Sequence, residues 1–481
     1  MPNKKQTGLD RQENSPILLY FALTFKVFKM KWAAFRLVIL ATLPAFSLLI
    51  SAPAVGSTVK LLHGEVEAFE MRIELIDFAQ STIDLSSYAI SDDNTSGRIF
   101  IALLKAAERG VMVRVLVDGH KGNNLIPKPL MQYLIEHRVA IRERPVDARY
   151  QLERGRSRLH DKLLIVDRTR MITGGRNQLQ VHFGLGERKY IDRDVFVEGH
   201  SACHAADYFQ QRWNDPESGP PDLIRMEAPK MLALQVHREW NSMPRAEALE
   251  QIAVWLDSLP TCPMPAQNLC LSAISYDALD IDESNLRFLH DIVCDSKKAT
   301  GAIAPAILGL LRRAGRSIEI ESPYLAISSD LKSILMDAAQ RGVQIRILTN
   351  SLESTDRASV HAGFANERRW MLRAGIKIFE FRGPNMLHAR SMVIDGRITM
   401  VGSYNFDQLS EKLNSEVAIV VTDCNFANQV SSSMAVHRSQ ARELHRRDLF
   451  RYEARESDVP TEQLRRYQRL RIAAPFIERY L

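Results

Sequence analysis

Residues 159–177 read LHDKLLIVDRTRMITGGRN and residues 387–405 read LHARSMVIDGRITMVGSYN, so this chain writes one sentence twice, 228 residues apart. In each copy a His is followed two places on by a long cation and seven places on by an Asp. An Asn seventeen places after the His closes a Gly-x-x-Asn. The repetition reaches beyond the motif. STIDLSSYAI (81–90) is similar to RSIEIESPYLAI (316–327), and AAERGVMVRVLVDG (106–119) to AAQRGVQIRILTNS (338–351). Two tandem copies with small loop differences restrict the fold more than any composition does.

Each copy reads strand, helix, strand, helix, strand. IDLSSY is a short apolar strand, GRIFIALLKAAERG has helical spacing ended by Gly110, and VMVRVLVD alternates as a strand. KLLIVD and MVIDG read as buried strands, with RMITGG and ITMVGS as the strands that follow them. The expectation is an α/β chain made of two sandwich halves, with helices over both sides of each sheet. A pseudo-twofold axis would bring the two motif edges to one cleft at the interface of the halves. The divisions expected are 58–214 for the first half, 215–304 for an inserted connecting segment and 305–436 for the second half. Residues 437–481 are expected as an Arg-rich, helical extension with solvated faces, able to touch a membrane surface.

The formal charge of +6 suggests nucleic acid, but its location argues against that. Seven cations against two acids fall in the first 56 residues; the remaining 56 basic and 55 acidic residues almost cancel. Lys26, Lys29, Lys31 and Arg36 precede LVILATLPAFSLLI, and SAPAVGS follows with an A-x-A-like site. Charged, then apolar, then small is the order of a secretory signal, so residues 1–57 read as a signal peptide or an uncleaved membrane anchor. Either way the remainder is expected outside a bacterial inner membrane, on the periplasmic side. The five cysteines show no metal-ligand spacing, and in an exported chain a Cys262–Cys270 disulfide is conceivable.

A phosphodiester is anionic and repels nucleophiles, so its cleavage needs neutralising charge and a strong nucleophile. Neutral imidazole is nucleophilic near neutral pH. A cation two residues on shares the His face of a strand, and Asn at the next strand end adds a neutral donor. One such set from each half would cradle a single phosphoryl group, with one His attacking and the other exchanging protons. His137, His182 and His200, outside the matched pattern, read as ordinary core or surface histidines.

The pattern H-x-K-x4-D-x6-G-G-x-N at 160–177 resembles the HKD motif of the phospholipase D superfamily, and 388–405 resembles it with Arg390 in place of Lys. The stretches SYAISDDNTSGRIFIALLKAAERGVMVRVLVDG and GSYNFDQLSEKLNSEVAIVV are most similar to bacterial cardiolipin synthases of the C type. The resemblance implies a covalent phosphatidyl-histidine, no metal and no cofactor. It casts His160 as nucleophile and His388 as acid and base, an order the sequence alone leaves open. It gives the motif members as His160, Lys162 and Asp167, and His388, Arg390 and Asp395. Lys162, Asn177, Arg390, Ser403 and Asn405 match phosphate-binding positions. Asp167 and Asp395, at strand ends, are expected to hold the fold rather than touch substrate. Glu416 matches the carboxylate that orients a His, and Asp194, which precedes Val195 as Glu416 precedes Val417, is its expected counterpart.

The activity implied is phosphatidyl transfer to phosphatidylglycerol from phosphatidylethanolamine or a second phosphatidylglycerol. Hydrolysis of a lipid phosphodiester, hydrolysis of nucleic acid, and a lipid-binding homologue inactivated at Arg390 stay open. The partners implied are phospholipids and the bacterial membrane surface, with no nucleic acid, and a monomer suffices because both motifs lie in one chain.

Overall fold

The computed structural model describes residues 56–119, 125–144, 158–221, 223, 237–260, 275–294, 298–300, 302–446, 465 and 467–469. The first sheet holds β1 (Gly56–Leu62), β2 (Thr82–Ser87), β3 (Met112–Asp118), β4 (Val139–Arg144), β5 (Lys162–Val166), β6 (Arg170–Gly174), β7 (Asp194–Glu198) and β8 (Leu279–Asp282). The second holds β9 (Leu286–His290), β10 (Ser317–Glu321), β11 (Gln344–Asn350), β12 (Lys377–Phe381), β13 (Ser391–Ile394), β14 (Ile398–Gly402), β15 (Val417–Thr422) and β16 (Ala441–Glu443). The first sheet runs β4-β3-β2-β5-β6-β7-β1-β8, and the second, read from its far edge, β16-β12-β11-β10-β13-β14-β15-β9. Seven consecutive strands therefore match in order. The eighth is added at opposite ends, β8 beside β1 and β16 beside β12. Both sheets are mixed: β2, β3 and β4 pair parallel, as β10, β11 and β12 do, and the motif hairpins β5–β6 and β13–β14 are antiparallel.

The repeat is visible in local chemistry too. Helix α1 (Glu65–Asp77) is followed by α2 (Asn94–Glu108), α3 (Lys128–Glu136), α4 (His200–Trp213) and α5 (Arg245–Ser258). The second half has α6 (Ile303–Arg312), α7 (Ser329–Gln340), α8 (Ala358–Arg373), α9 (Gln408–Lys412) and α10 (Cys424–Ser439). Asp93 caps α2 by accepting the Ser96 N–H, and Ser328 caps α7 by accepting that of Leu331. Past the same two helices the chain turns at Gly110 and Gly342, with φ of 91° and 84°, a left-handed conformation that suits glycine.

Alternation along the motif strands separates two kinds of core. Leu164 and Val166 face outward into a core shared with α1, α2, α3 and α5, whereas Leu163 and Ile165 face inward. In β13, Met392 and Ile394 pack outward under α6, α7 and α8, and Val393 faces inward. The inward residues of both sheets form one apolar layer with α4 and α10, through Ala205, Phe209, Phe426 and Val430. The halves thus share a core. One buried polar knot crosses it: Arg193 donates to Glu321, to Ser391 Oγ at 2.7 Å and to Ser433 Oγ, and His437 pairs with Glu321.

Among the described residues of 215–304, some join the first half and some the second. Helix α5 packs on the first core through Ala248, Ile252 and Leu256, and β8 pairs with β1. Strand β9 pairs with β15, so the second sheet starts at Leu286. Of residues 437–481, 437–439 finish α10, β16 edges the second sheet, and Tyr467 is buried against Leu352, Ala362 and Ala365. The expected leader or anchor, save residues 56 and 57 in β1, and Cys262 and Cys270 lie outside the described residues; Cys203 and Cys424 are free thiols. Among the described residues no helix is long and apolar enough to cross a membrane.

Candidate active site

His160 and His388 lie just before β5 and β13, and each is gripped by the other half. The backbone N–H of His160 donates to the Ser415 carbonyl at 3.0 Å, and that of His388 to the Ile191 carbonyl at 2.7 Å. The residue after each acceptor is an acid that reaches the same imidazole. Nδ1 of His160 is 2.8 Å from Glu416 Oε2, and Nδ1 of His388 is 2.7 Å from Asp192 Oδ2. The pairs are crossed, each histidine taking its carboxylate from the opposite repeat.

Asp194 does not hold a histidine. Its carboxylate is buried between Arg72 at 2.8 Å and Arg176 at 3.2 Å, where it also accepts the Arg176 backbone N–H. The register of the hairpins explains the shift: Gly174 lies opposite Asp194, but its equivalent Gly402 lies opposite Ala418. Asp192, two residues earlier, is therefore the counterpart of Glu416. A side chain at Gly175 would place its Cβ 1.9 Å from Asp192 Oδ1. At the matching position Ser403 donates its hydroxyl to Glu416 instead.

Lys162 Nζ donates to the His160 carbonyl at 2.9 Å and lies 4.7 Å from the centre of the Tyr88 ring. Arg390 is more heavily bound. Its Nε donates to Asn405 Oδ1 at 2.7 Å, and Nη1 to the His388 carbonyl at 2.7 Å. The guanidinium also lies against the His388 ring, with Nη1 3.0 Å from Nδ1 and Nη2 3.1 Å from Nε2. Both cations, both histidines, Asn177, Ser403 and Asn405 are buried at this one place.

Asp167 and Asp395 lie at the far ends of β5 and β13 from the histidines. They are not members of the cluster, although they belong to the motif. Asp167 accepts the backbone N–H groups of Gln80, Ser81 and Thr82, and Asp395 those of Gly315, Arg316 and Ser317. Each sits at positive φ, 50° and 56°, and fixes the turn that feeds β2 or β10.

His182, read from the sequence as an ordinary histidine, belongs to the site. Its Nδ1 is 3.2 Å from Asp192 Oδ2, its Nε2 is 3.2 Å from Asn177 Nδ2, and its ring centre is 4.6 Å from that of His388. The missed signal is positional. His182 is five residues past Asn177, as Ser410 is past Asn405, and Ser410 likewise donates to the orienting carboxylate, at 2.6 Å. Among the described residues, His182, Asp192 and His388 are the set that could hold a metal ion. The two imidazole–Asp192 hydrogen bonds already account for their approach.

Burial lowers both His160 and His388 well below the usual histidine range; Lys162 and Arg390 push His160 further, and Arg390 does the same to His388. Both rings are thus neutral, with Nδ1–H given to a carboxylate and the Nε2 lone pair facing inward. Burial, then the neighbouring Arg390, lowers Lys162 to about 7. Burial raises Glu416 to about 7, against Lys162 and the Ser403 and Ser410 hydroxyls. Such a site has an excess of cationic donors and prefers an anion.

The family described as "Cardiolipin synthase, PLD-like domain" matches residues 72–213 and 307–437, which together are more than half of the chain and fall on the two sheets. The chain belongs to this family, within the phospholipase D superfamily. It is 28% identical to cardiolipin synthase C of Escherichia coli K12, over 75% of this chain and 80% of that one. It is 25% identical to cardiolipin synthase A of Pseudomonas entomophila, over 81% of this chain and 70% of that one. The crystal structure of phosphatidylserine synthase from Haemophilus influenzae superposes with a TM-score of 0.63 at 16% identity, covering 88% of this chain and 95% of that one, which shows the shared fold.

Proposed function

We propose that the chain is a phosphatidyl transferase that makes cardiolipin from phosphatidylglycerol and a phosphatidyl donor, phosphatidylethanolamine or a second phosphatidylglycerol. The crossed His160–Glu416 and His388–Asp192 pairs carry this reading, because they supply two oriented, neutral imidazoles around one cationic pocket. The names of the relatives, cardiolipin synthases C and A, point to the same reaction.

In the first step Nε2 of His160 forms a bond to phosphorus while the bond to the leaving headgroup oxygen breaks. The bound phosphodiester anion lets His388 take up a proton from water beforehand, and the leaving oxygen receives that proton as neutral His388 is restored. In the second step neutral His388 removes the proton from the acceptor hydroxyl, whose oxygen bonds to phosphorus as the P–N bond to His160 breaks. The assignment of His160 as nucleophile rests on Arg390, which covers the His388 ring and approaches its Nε2 but leaves the His160 ring clear. Lys162 and Arg390 neutralise the phosphoryl oxygens, and Asn177 and Asn405 add neutral donors; losing one such donor costs about 3–4 kcal/mol of barrier. The catalytic part is placed on the periplasmic side, from the charged-then-apolar order of residues 26–55.

Mass spectrometry of lipids from cells lacking their own cardiolipin synthases tests the reading. Cardiolipin made with the intact chain, and absent with His160→Ala, supports transfer. Phosphatidic acid in its place shows hydrolysis, and no lipid change from well-expressed protein overturns both.

A further inference from the structure

A reaction between two phospholipids brings two phosphates to one cleft. One is attacked; the other belongs to the acceptor and stays intact. The cations already described are committed around the first, Lys162 to the His160 carbonyl and Arg390 to Asn405 and His388.

Arg357 is different. It is exposed, directly ahead of α8, and its guanidinium makes no hydrogen bond or ion pair among the described residues. Its backbone N–H donates to Thr355 Oγ1 at 3.1 Å, and its carbonyl accepts the His361 N–H at 3.2 Å. The guanidinium lies 5.5 Å from the centre of the Tyr324 ring. That ring is itself anchored: its hydroxyl donates to Asp356 at 2.7 Å, and the same carboxylate is 3.4 Å from the Tyr190 hydroxyl of the first half. Tyr190 in turn lies against His388, with ring centres 5.2 Å apart. Arg357 is thus seated on an aromatic support that joins the halves at the rim of the histidine cluster. Its charge is felt by His160 alongside those of Lys162 and Arg390. A planar guanidinium held on a ring is suited to bidentate contact with phosphate oxygens.

We propose that Arg357 is a binding residue for a second phosphodiester, the intact phosphate of the acceptor lipid, and so selects an anionic phospholipid over a neutral alcohol as acceptor. This rests on the phosphatidyl-transfer reading above.

The test is a competition in mixed micelles. The purified full chain receives one phosphatidyl donor with phosphatidylglycerol or glycerol as acceptor, and the ratio of the two kcat/KM values is the readout. Effects transmitted through His160 act on both acceptors and cancel in that ratio. Loss of a charge-assisted contact should lower the ratio roughly ten- to a hundredfold in Arg357→Gln, chiefly through KM for phosphatidylglycerol, and Arg357→Lys should recover part of it. A ratio within twofold of the unmodified chain in Arg357→Gln overturns the proposal. Release of phosphatidic acid with no transfer to either acceptor by the unmodified chain overturns the transfer reading itself, and this proposal with it.

Discussion

Replacing Asp192 or Asp194 by Asn separates catalysis from stability at two acids only two residues apart. Asp192 accepts from His388 at 2.7 Å and from His182 at 3.2 Å. Both rings share Oδ2, while Oδ1 accepts the Arg193 N–H at 2.9 Å. Asparagine is nearly isosteric, but its amide nitrogen must face either both rings, which then change tautomer or lose their partner, or the Arg193 N–H, and either way the charge that holds the imidazoles is gone. Hydrogen bonds to a charged group contribute about 1.5–3 kcal/mol each, so two give about 3–6 kcal/mol of barrier. That is about two to four decades in turnover. Asp194, by contrast, neutralises two buried guanidiniums, Arg72 and Arg176. Asp194→Asn strands both charges, and breaking a buried pair of this kind costs about 3–5 kcal/mol of stability. Against a total of about 5–15 kcal/mol that is a large share. Chemical denaturation and turnover per folded molecule, measured side by side, resolve the two. Asp192→Asn should unfold close to the unmodified chain and turn over poorly. Asp194→Asn should unfold early and, below its transition, retain most of its turnover. If Asp194→Asn is as inactive as Asp192→Asn at unchanged stability, or Asp192→Asn turns over within threefold of normal, the assignment of the orienting acid is wrong.

With Lys162 lowered to about 7, binding a phosphodiester must return its proton. The anion raises the Lys162 pKa, so affinity is full below about pH 7 and falls as pH rises, by up to about tenfold per unit. Inhibition by dimethyl phosphate, a monoanion across this range, should show that slope from pH 6 to 9, and Lys162→Arg should flatten it. Gly175→Ala forces Asp192 aside, since the new Cβ would lie 1.9 Å from Oδ1. A displacement near 1 Å at a reacting group is expected to lower turnover about a hundredfold; normal steady-state rates would refute it. Arg390→Lys keeps the charge but gives up the Nε bond to Asn405, so a fall of about tenfold in turnover is expected. An unchanged rate would show that the guanidinium fork contributes nothing.

The tandem architecture was legible because hydrophobic alternation and motif spacing are local properties that survive in a single chain. Leu163 and Leu164 face opposite cores, as period-two reading requires. The convergence of His160, Lys162, Asn177, His388, Arg390, Ser403 and Asn405 followed from placing equivalent strand ends at one edge. What failed was register across a loop of unequal length. Matching Asp194-Val195 to Glu416-Val417 looked natural, but strand pairing sets Asp194 opposite Gly174 and leaves Asp192 to reach across. His182 was missed for a related reason: its counterpart Ser410 shares its function as a donor but not its residue type. The place of β9 was not legible either, because it joins the second sheet by pairing with β15, more than 120 residues away in the chain, and no local pattern reports that.

The crossed carboxylates have a consequence for how such a chain can change. Each half keeps the alignment of the other's histidine, so damage on either side disables both reaction steps together. Expressed as two separate polypeptides, the halves would behave as a logical AND, silent alone and active only once their shared apolar layer closes. A single repeat would have to pair with itself to meet that condition, whereas this chain, with Asp192 and His182 on one side and Glu416 and Ser410 on the other, carries two different inputs that are not interchangeable.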